Sequence, residues 1–94
     1  MNAIGLFEIE FLIPSASNLK EKRRVVKSLK ERIRNRFNVS VAEVGHEDLP
    51  GRCHLALVTV CNAKAEAEKR LASCEKLVLA EPVLSVIDRK LTWL

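Results

Sequence analysis

"SNLKEKRRVVKSLKERIRNRFNVSVAEV" (residues 17–44) changes its hydrophobic period once, and that change decides the fold. Up to Phe37 the apolar residues return at helical spacing. Leu19, Val26, Leu29, Ile33 and Phe37 fall on one arc when successive residues are turned by about 100°. From Asn38 the period drops to two, and "NVSVAEV" (38–44) reads as a strand. Asn18 with Glu21 three residues later has the form of a capping box, which satisfies free N–H groups at a helix start. Asn38 suits the left-handed position that ends a helix.

The flanks follow the same rules. "AIGLFEIEFLI" (3–13) alternates and is rich in branched and aromatic residues, so it reads as a strand. Phe7, Ile9, Phe11 and Ile13 form one face; Ile4, Leu6, Glu8, Glu10 and Leu12 form the other, half-polar face. Pro14 and "SAS" break the run. "GHEDLPG" (45–51) is a turn-rich connection. "RCHLALVTVC" (52–61) has almost no polar interruption, as a central strand requires. Asn62 can cap a second helix, 63–78, with Ala67, Leu71, Cys74 and Val78 at helical spacing. "PVLSVIDRKLTWL" (82–94) gives a fourth strand with a short tail.

The order is βαββαβ, an α+β ferredoxin-like sandwich. Right-handed crossovers put both helices on one face of a four-stranded antiparallel sheet of order 4-1-3-2. All 94 residues (1–94) form a single domain of this kind. The other sheet face has no cover within the chain. Leu6 and Leu12, with one side of strand 3, leave two uses open: a partly polar solvated face, or a homodimer interface.

Composition narrows the class. The chain is 48% hydrophobic and 30% charged, which suits a globular protein and not a disordered one. No apolar run is long enough to span a bilayer, and "MNAIGLFEIEF" lacks the basic start of a signal peptide. The expected location is cytoplasmic, with no membrane partner. Cys53, Cys61 and Cys74 sit inside apolar patterns, where a thiol acts as a small hydrophobe.

Charge is uneven. Lys20 to Arg36 holds nine basic and two acidic residues, a local +7, while the rest holds seven and ten, a local −3. Arg23, Lys27, Lys30 and Arg34 follow i, i+4, i+7, i+11 spacing and form a ridge beside the core arc, with Lys20 and Arg24 just outside it. Such a ridge is either the wet side of a core helix or a surface for an anionic partner, most often nucleic acid.

Lys22 stands apart, since it points into the apolar arc one turn above Val26. A lysine there must snorkel out or meet a carboxylate. Strands 1 and 2 run parallel, so the end of strand 2 reaches the sheet edge where helix 1 begins, and Glu43 lies near that end. Arg52, His54 and the connection with His46 and Asp48 are expected at the same edge. Lys22, Glu43, His46, Arg52 and His54 therefore form either a structural ion-pair cluster or a small polar site for an anion at the helix N-terminus.

Residues 17–44 resemble the YlxP-like family of small bacterial proteins of unknown function, whose members run "SLKxKRxvvxSLxxRlrnrFNvSvaEv". Lys20, Lys22, Arg23, Asn38 and Glu43 match that pattern directly. The resemblance implies a ferredoxin-like domain. It also implies a role near RNA or ribosomes, because family genes often lie beside those for translation and ribosome-maturation factors. One departure follows the Glu. The family has an Asp and then a Trp-Gln pair, whereas Asp48 here precedes Leu49, Pro50 and Gly51.

Several chemistries find no support. No Ser/His/Asp arrangement, phosphate loop or dinucleotide fingerprint occurs. Acylphosphatases share the fold but need a Gly-rich loop after strand 1, and "PSASNLK" has no glycine. Cys53 and His54 are neighbours on a strand and point to opposite faces, so they do not share a metal ion. Strand 3 carries no aromatics on which bases could stack. The expectation is a protein with no catalytic site, no metal and no small-molecule cofactor. It binds RNA or the ribosome through Lys20, Arg23, Arg24, Lys27, Lys30 and Arg34. The alternative is a homo-oligomeric interaction module using the open sheet face.

Overall fold

The computed structural model describes residues 2–94. The elements are β1 (Ala3–Leu12), α1 (Leu19–Arg36), β2 (Ser40–Gly45), β3 (Arg52–Cys61), α2 (Lys64–Leu79) and β4 (Ser85–Trp93). One antiparallel sheet has the order β2-β3-β1-β4, which is the expected order read from its other end. The βαββαβ sequence of elements with this sheet is a ferredoxin-like α+β fold.

Alternation in the central strands makes the two sheet faces unequal. Phe7, Ile9, Phe11, Cys53, Leu55 and Leu57 are buried, and both helices pack on that side with Val26, Leu29, Ile33, Leu71, Cys74 and Val78. Gly5 lets α2 approach closely: a Cβ there would lie 2.9 Å from Leu71 Cδ1 and 3.2 Å from the Trp93 ring. The residues between them in sequence turn to the uncovered face, paired Ile4 with Val60, Leu6 with Val58, Glu8 with Ala56 and Glu10 with His54.

The start of α1 is capped as its sequence specifies. The Glu21 N–H donates to Asn18 Oδ1 at 2.9 Å, and the Asn18 amide and Ser17 hydroxyl both donate to Glu21 Oε1. Two other caps differ from expectation. Helix α1 ends at Arg36 and the chain leaves through an extended Phe37, so Asn38 is not left-handed. Its carbonyl instead accepts from Thr59 Oγ1 at 2.9 Å, which ties the loop to β3 at once and leaves no room for a further turn. Helix α2 is preceded by extended Ala63 with no side-chain cap, so Asn62 lies one position too early. The strands flanking these helices are also shorter than the 38–44 and 82–94 read from sequence, because β2 pairs from Ser40 and β4 from Ser85.

Candidate functional site

The basic ridge is built by α1 itself. Burying Val26, Leu29 and Ile33 fixes the rotation of the helix, which sends the flank to solvent. Lys20, Arg23, Arg24, Lys27 and Arg34 are exposed, and Lys30 is half-buried. None of the six lies in an ion pair among the described residues; in α1, only Lys22 and Arg32 do. Arg23 to Arg34 spans about 16 Å of helix at 1.5 Å per residue. The ridge is thus a row of unneutralised cations of that length.

Lys22 behaves differently. It is 1% exposed. Its Nζ lies 2.8 Å from Glu43 Oε2 and donates to the His46 carbonyl. The Glu43 oxygen is held by charge, with no hydrogen bond of good geometry to it. Behind the pair, burial pushes the Cys53 thiol up to about 12, with the Glu43 carboxylate adding to the effect. Cys74 is likewise raised by burial, to about 11. Both thiols stay protonated and are poor nucleophiles.

The remaining residues of the expected polar cluster do not join Lys22. Even-numbered positions of β3 face away from the helices, so Arg52 and His54 lie on the uncovered sheet face, with the sheet between them and Lys22. Only His46 touches both groups. It is the one described non-glycine residue with positive φ (60°). That turn aims its carbonyl at Lys22 and brings its Nε2 within 3.1 Å of Glu10 Oε2. The five residues therefore split into a buried pair and a surface network, and form no shared anion pocket.

The surface network centres on two carboxylates, Glu8 and Glu10. Arg52 donates to Glu10, and His54 Nε2 lies 3.2 Å from Glu8 Oε1. The Arg52 hydrogen bond and charge hold Glu10 below its usual 4.5, against a burial effect that raises it; both imidazoles assist. A signal was present in the strands: Glu8 and Glu10 alternate on β1, Arg52 and His54 alternate on β3, and only the register was missing. Glu8, Glu10, His54, Asp88 and Lys90 line a shallow groove of about 150 Å³ there. Toward the Ile4–Val60 pair the same face turns apolar, and Val60 is 57% exposed.

A second polar network ties α2 to the sheet. Arg70 of α2 donates to Thr59 Oγ1 at 2.7 Å and reaches the Asn38 carbonyl, joining α2, β3 and the loop before β2. Among the described residues no group of three His, Cys, Asp or Glu side chains is placed to hold a metal ion. No described helix is long and apolar enough to cross a membrane.

Comparison with known proteins extends the resemblance beyond α1. Residues 4–91 match the family described as "Protein of unknown function (DUF503)". The chain is also 40% identical over 90 residues to "Uncharacterized protein YlxP" of Bacillus subtilis (strain 168), covering 96% of this chain and 98% of that protein.

Proposed function

Given that the chain belongs to the DUF503 family of proteins of unknown function, its role has to be read from its own surface, and we propose a non-enzymatic RNA- or ribosome-associated binding module that works through the α1 ridge. The observation that carries this reading is the row of six basic side chains at Lys20, Arg23, Arg24, Lys27, Lys30 and Arg34, none of them neutralised by a neighbouring carboxylate. Phosphates supply the missing charge. The ridge holds no aromatic side chain, so contacts are to backbone and shape, and sequence preference is weak.

The experiment is binding to bacterial small-subunit ribosomal RNA across a salt series, beside the Lys27→Glu/Arg34→Glu variant. The expected result is affinity that falls steeply with salt and drops by roughly two orders of magnitude in the variant, since each lost phosphate contact also lowers the salt slope. Equal binding by parent and variant, or none by either, makes the ridge the wet side of a core helix.

A further inference from the structure

Strand β4 borders the sheet and is hydrogen-bonded to β1 on one side only. Its opposite margin presents main-chain groups, and the alternation of an antiparallel ladder identifies them. The Leu94 N–H donates to the Ile4 carbonyl at 2.9 Å. Thr92, Lys90 and Asp88 therefore also turn their main-chain groups to β1, while Leu91 and Arg89 turn theirs outward. The Arg89 N–H agrees with this phase: it points outward and donates to Asp88 Oδ1 at 2.9 Å, a contact that strand pairing with a second copy replaces. The strand has no fully buried side chain, and Ile87 and Leu91 are 45% and 42% exposed.

The sequence of this margin is self-complementary about Arg89. In two antiparallel copies with Arg89 opposite Arg89, Asp88 faces the partner subunit's Lys90; the β-bulge at Ile87, where the β1 register shifts between Glu10 and Phe11, ends the regular ladder beyond Asp88. Two-fold symmetry makes each contact twice. The facing arginines are tolerable because each Arg89 is already paired with Glu75 of its own chain. Moving the two-fold by one residue sets Lys90 against Lys90, or Asp88 against Asp88. Flanking the central pair, opposite charges face one another in the Arg89-centred register, whereas either neighbour puts like charges of Lys90 or Asp88 face to face.

We propose that the protein self-associates through this margin, two β4 strands pairing antiparallel about Arg89 into one eight-stranded sheet. The two-fold then stands perpendicular to the sheet, so both helical layers lie on the same side. Helix α1 contacts β2, the strand farthest from β4. Four strands per copy, each about 4.8 Å apart, put the two α1 ridges on the order of 30 Å from one another on one face. The self-association rests on β4 alone and stands whether or not α1 binds RNA.

Sedimentation equilibrium tests it. The expected mass at high concentration is twice the 10.6 kDa of the chain. Asp88→Lys sets Lys against Lys and raises the dissociation constant by at least about tenfold, since two favourable cross-strand pairs become two repulsive ones. Adding Lys90→Asp to it restores the parent value to within a few-fold. Arg89→Pro removes an outward donor that β1 does not use, so it blocks dimerisation while the circular dichroism spectrum is kept. A monomer at all concentrations overturns the proposal, and so does a double swap no tighter than Asp88→Lys. A dimer that survives Arg89→Pro but is lost in Val58→Lys also overturns it, and moves the contact to the uncovered sheet face.

Discussion

Lys22 shows how one buried charge can be read ahead of the structure. Its place on the core arc demanded a carboxylate, and the parallel run of strands 1 and 2 named Glu43; the two lie 2.8 Å apart. Removing one partner strands the other, so Lys22→Met is expected to cost about 3 kcal/mol, while Lys22→Met/Glu43→Leu recovers most of it. Urea midpoints of the parent and both variants check this. His46 was not legible in the same way. Its left-handed backbone depends on the geometry of the turn, and no periodic pattern encodes that. Glu10 adds a pH dependence. Its folded value lies below its unfolded one, so its contribution is fully present above about pH 4.5 and is lost as pH falls through the folded value. Glu10→Gln should therefore be less stable than the parent at neutral pH, and the gap should close on acidification. Thermal melts from pH 7 to pH 3 measure it.

At the scale of elements, what repeats was legible and what ends was not. The core arcs of α1 and α2 and the alternation of β1 and β3 each rest on several residues, so no single side chain can mislead. A boundary rests on one residue. Asn18 is a working cap because its Oδ1 accepts the Glu21 N–H and its amide donates back to Glu21 Oε1, whereas Asn62 offers the same chemistry one position too soon. Asn18→Ala is expected to cost about 1 kcal/mol, with fraying confined to the first turn of α1. Amide exchange of residues 19–23 against the rest of the helix separates that outcome from general destabilisation.

For the molecule as a whole, element order fixed the sheet, and charge counting found the ridge because helical spacing puts Arg23, Lys27, Lys30 and Arg34 on one line. The network on the uncovered face needed the β1–β3 register, which sets Glu10 against His54 and which the strands alone leave free to slide. Charge asymmetry also predicts how binding responds to salt. If about five of the ridge cations meet phosphates of a single-stranded RNA, the slope of log affinity against log salt is about −3.5, and Lys27→Ala makes it shallower by about 0.7. A titration series at three salt concentrations measures both.

The sheet joins the two ends of the chain, with Gly5 beside Trp93 in the β1–β4 ladder. Nearly the whole polypeptide must be gathered before that ladder can form, so its closure entropy is among the largest the fold meets, and assembly belongs to the slower kinetic regime of non-local β pairing. Yet β4 has no fully buried side chain with which to offset that loss. It is therefore the strand expected to dock last and detach first, which amide exchange of residues 85–93 against 52–61 measures. Its departure leaves a three-stranded remnant with the long, apolar edge of β1 laid bare, so the lifetime of the fourth strand on the sheet governs how often the chain offers other polypeptides a template for aggregation.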